Sequence, residues 1–174
     1  EIKVALFVTP GTGLSYELAG SESQLAAESV KKLTETAKEN KQKLTVVALA
    51  DVQKFKQKNP NWKHMHASAW GKALDADFVL DIHLEKMSLY QPGSSNTLYA
   101  GRAEVSVDMY EVDAGTNEKK DGYVLAVSYP ETGFRDATAI PVGTFKRAYL
   151  DNLAIKLAQK HMDYKPSSGI AEGH

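Results

Sequence analysis

The residues of this chain that could do chemistry form small groups, and the densest is Asp81, His83 and Glu85. These three residues alternate on one face of a strand-like segment, where they could act as general acids or bases. No serine nucleophile motif or glycine-rich site accompanies them. Cross-strand charge pairing with Arg102 explains the group more simply. We therefore expect these three residues to form a solvated face without a catalytic role.

A glycine pair, Gly11 and Gly13, follows the first strand-like segment, where a phosphate-binding loop would begin. A Walker loop requires a later Gly-Lys-Ser/Thr run, and a dinucleotide loop requires a third glycine. Leu14, Ser15 and Tyr16 stand at those positions instead. We interpret this segment as an ordinary flexible loop.

Two histidines, His64 and His66, are close enough in sequence to suggest a pair of metal ligands. On a helix, side chains two positions apart point about 200° away from each other, so one ion could not bind both. We expect both histidines to be surface or partly packed residues. The sequence predicts no metal and no cofactor.

The most unusual segment, residues 88–101, connects two predicted strands and has a tyrosine on each side of its tip. Exposed tyrosines together with Asn, Ser and Gly are typical of loops that contact other proteins. The alternative is that both tyrosines pack back on the sheet edge, and the sequence leaves both possibilities open. If a partner binds here, we expect the contact residues to be Tyr90, Pro92, Asn96, Tyr99 and Arg102.

Composition excludes several classes of protein. The chain has 174 residues, of which 43% are hydrophobic and 25% are charged, as is typical of a globular protein. It has no cysteine, which excludes disulfides, thiolate metal sites and cysteine nucleophiles. The formal net charge of -1 gives no bulk attraction for nucleic acid or an anionic membrane. No apolar run approaches the roughly 20 residues that a membrane helix needs.

The first half of the chain alternates strands with helices. Ser21 and Gln24 have the spacing of a capping box at the start of the first predicted helix. The connection between the second and third strands is long enough for a right-handed crossover, which predicts three mutually parallel strands. Hydrophobic periodicity predicts strands at 2–8 and 43–50, and helices at 21–40, 51–58 and 62–74.

The pattern of the second half of the chain predicts antiparallel strands followed by a helix. Alternation predicts strands at 77–86, 99–112 and 122–129, a turn at 113–115 and a helix at 143–160. Together these elements predict a single α/β (α+β) domain at residues 1–164, followed by a flexible tail at 165–174. We expect a five-stranded mixed sheet in the order 2-1-3-4-5, with strand 4 antiparallel to its neighbours and helices flanking the sheet. This arrangement is anticodon-binding-domain-like.

Three short segments, 4–8 (VALFV), 72–80 (KALDADFVL) and 107–115 (VDMYEVDAG), carry a resemblance to known proteins. They resemble a family of bacterial envelope lipoproteins. This family includes the TolB amino-terminal domain, the curli secretion channel lipoprotein and the penicillin-binding-protein activator lipoproteins. Leu74-Asp75 departs from the family, which has Leu-Gly there. The loop at 90–96 (YQPGSSN) is similar to one in uncharacterised bacterial lipoproteins.

The resemblance implies an exported, non-enzymatic accessory protein of the cell envelope. It would be periplasmic and tethered to a membrane by a lipidated cysteine upstream of Glu1. Its partner would be another envelope protein or a cell-wall component, and the family has no catalytic residues to carry over. An alternative is an enzyme or small-ligand binder that uses the face of Asp81, His83 and Glu85. A self-assembling subunit ranks last, because the sequence lacks the long apolar hairpins of a membrane pore.

Overall fold

A mixed β-sheet flanked by helices organises the chain, as described by a computed structural model. The structure describes residues 1–113 and 119–169, with side chains as far as residue 161. The strands are β1 (Ile2–Leu14), β2 (Leu44–Val46), β3 (Phe78–Tyr90), β4 (Leu98–Glu111), β5 (Asp121–Tyr129) and β6 (Arg135–Asp136). The helices are α1 (Ser21–Glu39), α2 (Leu49–Lys58), α3 (Ala67–Ala73) and α4 (Val142–Gly169), with 3-10 turns at Tyr16–Leu18 and Trp62–His64.

The order of the strands is β2-β1-β3-β4-β5, which confirms the predicted α+β fold and its sheet order. β1 pairs in parallel with both β2 and β3. β4 is antiparallel to β3 and to β5, as predicted. The short β6 was not predicted, and it pairs with the first residues of β4 beyond the end of β5.

Helices cover the two faces of the sheet unequally. α1 and α4 pack on one face, where Leu33 and Leu153 join strand residues such as Leu6 and Val105 in the larger hydrophobic core. α2 and α3 form a smaller core on the other face, around Phe7. Because this second layer lies over β1 and the start of β3, the remainder of its face is open to solvent. Burial of the apolar face of each helix is what fixes these layers.

β1 is longer than expected, and the loop predicted around Gly11 and Gly13 is wrong. The strand continues to Leu14 and pairs with β3 across an irregularity between Pro10 and Gly13. A Cβ atom at Gly11 would lie 2.6 Å from the Leu84 carbonyl oxygen, and one at Gly13 would lie 2.5 Å from that of Glu85. The glycines therefore allow two backbones to approach closely, which is their role here instead of turn formation.

The predicted capping box at the start of α1 is also wrong. The N-cap residue is Gly20, with φ of 82°, and Ser21 is the first helical residue. Ser21 is buried, and its hydroxyl has no hydrogen-bond partner among the described residues. Tertiary packing of Ser21 against the core has thus replaced the local cap that its spacing with Gln24 suggested.

The helix predicted at 62–74 is interrupted by extended backbone at Met65 and His66. This interruption turns Trp62 back onto α3, where the indole nitrogen of Trp70 donates to the Trp62 carbonyl at 2.8 Å. Both indoles then pack against the ring of Phe7. An aromatic cluster has therefore overridden the helical periodicity of the sequence.

The remaining differences concern the ends of elements. β2 ends at Val46 and α2 begins at Leu49, whereas the sequence predicted a strand to residue 50 and a helix from residue 51. α4 is described to Gly169, beyond the predicted end at 160. Residues 114–118, which include two of the three residues of the predicted turn at 113–115, and residues 170–174 of the predicted tail lie outside the described residues. None of the helices in the described part of the chain is long and apolar enough to cross a membrane.

Candidate functional site

The uncovered part of the sheet, which we call the open face, displays alternate residues of β3, β4 and β5. In the register of these strands, Asp81 lies opposite Asp108 and His83 lies opposite Ser106. Across the next pair, Ser106 lies opposite Val124, whose side chain is 66% exposed. The open face is therefore a shallow, mostly polar surface rather than an enclosed site.

Asp81 and His83 form an ion pair on this face. The Nε2 atom of His83 lies 3.0 Å from Oδ2 of Asp81. Burial raises the pKa of Asp81, Asp108 raises it further, and the attraction and hydrogen bond of His83 oppose this rise. The charge pairing with Arg102 that the sequence suggested is wrong, because Arg102 lies opposite Ser88 and Ser128.

The other acidic residues of the open face have ordinary surface partners. The hydroxyl of Ser106 donates to Oε1 of Glu85 at 2.8 Å. Nζ of Lys119 lies 3.1 Å from Oδ1 of Asp108, and this contact raises the pKa of Lys119. Within the described ranges, no three His, Asp or Glu side chains are arranged to hold a metal ion. His64 and His66, the other candidates, are both exposed.

The two tyrosines beside the β3–β4 loop pack inward. Tyr99 is only 2% exposed, and its ring stacks on Phe145 at 4.3 Å and on Tyr90 at 5.4 Å. The Tyr99 hydroxyl donates to the carbonyl of Ile140 at 2.9 Å. Of the two possibilities that the sequence left open, packing of the tyrosines against the sheet is the one observed. Tyr90 remains half-buried.

The loop between β3 and β4, residues 91–97, is held by its own hydrogen bonds. The hydroxyl of Ser94 donates to the Gln91 carbonyl at 2.7 Å, and that of Thr97 donates to the Ser94 carbonyl at 2.6 Å. Ser95 and Asn96 adopt left-handed backbone conformations, with φ of 52° and 61°. Such conformations cost about 1–3 kcal/mol each and persist only where surrounding contacts fix them. The loop is therefore preorganised.

A second segment, residues 134–142, is attached to this loop. The amide of Ala137 donates to the Thr97 carbonyl at 2.9 Å, and β6 pairs with Leu98 and Tyr99. Asp136 accepts hydrogen bonds from Thr138, which lower its pKa and fix the turn after β6. The two segments together form a surface that we call the hairpin end. Its exposed residues include Pro92, Asn96, Phe134, Arg135 and Val142.

The hairpin end contains two of the predicted contact residues and two residues that the sequence did not reveal. Pro92 and Asn96 are exposed there, whereas Arg102 is exposed on the open face. Phe134 and Val142 are 54% and 46% exposed, which is unusual for large apolar side chains at one end of a molecule. The only signal for them was a pair of apolar residues in a turn-rich stretch between the last strand and the last helix.

The sheet order and the helices on both faces define a class of small α+β proteins. No protein-family model matches the sequence, and no curated protein matches it. Several solved structures are nevertheless similar to this chain. A hypothetical protein from Chlamydia trachomatis is 16% identical, with 91% of this chain and 96% of that chain covered and a TM-score of 0.51.

Two further structures share the fold. A protein from Xanthomonas campestris, assigned to family DUF330, is 10% identical with a TM-score of 0.53, over 90% of this chain and 81% of that one. The lipoprotein GNA1162 from Neisseria meningitidis is 10% identical with a TM-score of 0.50, over 88% of this chain and 99% of that one. These likenesses establish the fold, which therefore occurs in at least one lipoprotein. The TolB-like and related fold names stay predictions.

Proposed function

We propose that this chain is a non-enzymatic domain of the cell envelope that binds another envelope component through the hairpin end. One observation carries the assignment: a preorganised loop is joined by backbone hydrogen bonds to a segment that exposes two apolar side chains, Phe134 and Val142. Apolar anchors of this kind supply most of the binding energy in protein interfaces. A loop that is already fixed loses little conformational entropy on binding.

The charged residues near the hairpin end suit the rim of such an interface. Arg135 is part of the surface itself, and Arg102 is exposed on the neighbouring strand. Arginine is enriched in interfaces because its planar guanidinium makes several directional hydrogen bonds and stacks on flat groups. We expect the partner to present an apolar pocket for Phe134 with acidic or carbonyl groups around it.

Placement in the envelope is supported by the shared fold of the Neisseria lipoprotein and by the short segments that resemble envelope lipoproteins. A lipidated cysteine upstream of Glu1 would hold the domain at a membrane. The non-enzymatic role is supported by the open face, where Glu85 and Asp108 have surface partners. Such pairing favours a solvated surface over a reacting centre.

Site-specific photocross-linking in the organism that encodes the protein tests this function. A photoreactive residue is placed at Asn96 or at Phe134 of the full-length protein. We expect both positions to give an adduct of the same mass with an envelope component. Phe134→Asp should reduce the Asn96 adduct about tenfold or more, because loss of a central aromatic costs about 2 kcal/mol of binding.

Val124 provides the matched control position, since it is also apolar and more than half exposed but lies on the open face. Adducts at Val124, with none at Asn96 or Phe134, would show that the open face is the binding surface. No adduct at Asn96 or Phe134 would remove the binding role. Recovery of the full-length protein in the cytosolic fraction would remove the envelope location.

A further inference from the structure

The unequal lengths of β1 and β2 leave one edge of β1 without a neighbouring strand. β2 pairs only with Ile2, Lys3 and Val4. The amide of Val47 donates to the Val4 carbonyl at 2.8 Å, and the chain then leaves the sheet to enter α2. On its opposite edge, β1 remains paired with β3 as far as Leu14.

Alternation along β1 determines which backbone groups meet this free edge. Ile2 and Val4 hydrogen-bond toward β2, whereas the carbonyl of Lys3 accepts from Asp77 at the start of β3. Successive residues of a strand direct their backbone groups to opposite edges, so Leu6 and Val8 direct theirs to the β2 side. Since β2 ends at Val46, no strand of the described chain pairs with them there.

These backbone groups are not free in open solvent. Leu6 and Val8 are only 1% and 6% exposed. They form the floor of a cleft of about 250 Å³ between the first turns of α1 and the side of α2. Buried backbone N–H and C=O groups almost always have hydrogen-bond partners. The cleft therefore contains a short strip of strand edge that no strand of the described chain pairs with.

The walls of the cleft carry two lysines around one indole ring. Nζ of Lys56 lies 4.6 Å from the centre of the Trp62 ring, and Nζ of Lys63 lies 5.8 Å from it. Burial lowers the pKa of Lys56, the repulsion of Lys63 lowers it further, and Asp81 and Glu22 oppose this effect. Neither ammonium has a carboxylate within ion-pair distance in the described part of the chain.

One acidic residue completes the cleft. Oε2 of Glu22, in the first turn of α1, is buried and accepts no hydrogen bond from any described residue. The wall thus offers a hydrogen-bond acceptor a short distance from two cationic donors. This combination disfavours a purely anionic ligand and favours one that contains both an anionic group and N–H donors.

We propose that the cleft binds an extended peptide segment that carries a carboxylate. The segment occupies the position that β2 would take if it were longer, and exchanges backbone hydrogen bonds with Leu6 and Val8 in the manner of strand addition. Its carboxylate lies between Lys56 and Lys63, and one of its N–H groups donates to Glu22. At about 3.3 Å per residue, the Leu6–Val8 edge takes about two residues of the segment.

The carboxylate can come from a peptide C-terminus or from an acidic side chain, and three synthetic peptides distinguish the sources. The first is Val-Thr-Val with a free C-terminus, the second is acetyl-Val-Glu-Val-amide, and the third is the neutral acetyl-Val-Gln-Val-amide. Amide resonances of Leu6 and Val8 report binding in two-dimensional NMR titrations of the full chain. We expect one of the carboxylate peptides to bind about tenfold or more tightly than the neutral one, with shifts at both amides.

Matched lysine variants test the site. Lys56→Met should weaken the binding of the carboxylate peptide about tenfold, whereas Lys58→Met, an exposed change on the same helix, should leave it unchanged. If Lys56→Met fails to fold, Lys63→Met serves in its place, because Lys63 is exposed. Equal affinities of the Lys56 and Lys58 variants, or no binding of any peptide, would overturn this site. The cleft shares no residue with the hairpin end, so each proposal can fail alone.

Discussion

Among the described acidic residues, Asp81 alone is buried, and its environment disfavours its charge. Desolvation is the largest effect, and the ion pair with His83 offsets only part of it. A carboxyl group with a raised pKa binds its proton more tightly in the folded state than in the unfolded chain. Asp81 is therefore a point at which pH acts on the stability of the sheet.

We expect the contribution of Asp81 to the free energy of unfolding to fall as pH rises above 3.8, the ordinary pKa of an aspartate. In that range the unfolded chain has already lost the proton that the folded protein retains, so ionisation favours unfolding. Each unit by which the folded pKa exceeds the unfolded one is worth about 1.4 kcal/mol. Urea unfolding should show wild type losing stability relative to Asp81→Asn as pH rises from about 4 to 7.

His83→Gln provides the internal control for Asp81. It removes the attraction that opposes burial, so the loss of stability should extend to higher pH than in wild type. If wild type instead gained stability relative to Asp81→Asn as pH rose, the fold would be stabilising the ionised carboxylate. That result would contradict the raised pKa.

Tyr99 shows why residue type alone misplaced part of the candidate site. A tyrosine beside a polar loop is compatible with exposure and with burial, and the choice depends on the distant Phe145, which stacks on its ring. Replacing Tyr99 with Ala would remove packing worth about 3–5 kcal/mol, as for other buried aromatics. For that reason Phe134, and not Tyr99, is the position at which binding can be tested separately from folding.

At the scale of elements, the close approach of β1 to β3 at Gly13 can be tested by substitution. We expect Gly13→Ala to lower the free energy of unfolding by about 1–3 kcal/mol. The new Cβ would lie 2.5 Å from the Glu85 carbonyl oxygen, so one of the two strand backbones must move. Urea or thermal unfolding measures the difference.

Thr12→Ala is the matched control, since Thr12 lies in the same stretch of β1 and is exposed. Its effect should stay within about 0.5 kcal/mol. If Gly13→Ala were as neutral as Thr12→Ala, the backbones of β1 and β3 would not be in close contact there. The pairing of Gly13 with Lys86 of β3 would then be wrong.

Periodicity predicted which elements exist and their order, because the alternation in residues 77–86 and the helical spacing of residues 21–40 depend only on local burial. It failed where distant contacts decide the local structure. Pro10 and Gly13 are typical of a loop, yet pairing with Leu84 and Lys86 of β3 keeps them in a strand. The cleft was not predictable, because it follows from β2 ending after three residues, a boundary that the apolar run at 43–50 conceals.

At the scale of the whole molecule, the two proposed binding surfaces occupy separate parts of one sheet. The hairpin end is built on β3, β4 and the start of α4, and the cleft on β1, α1 and α2. The shared element is the β1–β3 pairing, which joins the parallel and antiparallel halves of the sheet. A single domain could therefore hold one partner at its end and a peptide at its edge without either contact blocking the other.

The hairpin of β3 and β4 also has a kinetic consequence. Its strands are neighbours in sequence, and its loop is preset by local hydrogen bonds, so closing it costs little chain entropy. The parallel pairing of β1 with β3 must instead close a connection of more than seventy residues, because Val4 pairs with Phe78. We expect the hairpin to be formed in the transition state for folding and the α2 region to dock later.

The same substitution, valine to alanine, in each of these two regions compares the order in which they fold. Val105, in β4, and Val52, in α2, are both buried. In stopped-flow measurements, Val105→Ala should mainly slow folding, and Val52→Ala should mainly speed unfolding. If Val105→Ala mainly sped unfolding and Val52→Ala mainly slowed folding, the folding nucleus would instead lie in the parallel half of the sheet. A late-docking α2 would leave the edge of β1 uncovered on the newly collapsed chain, at the stage when another strand could most easily add to it.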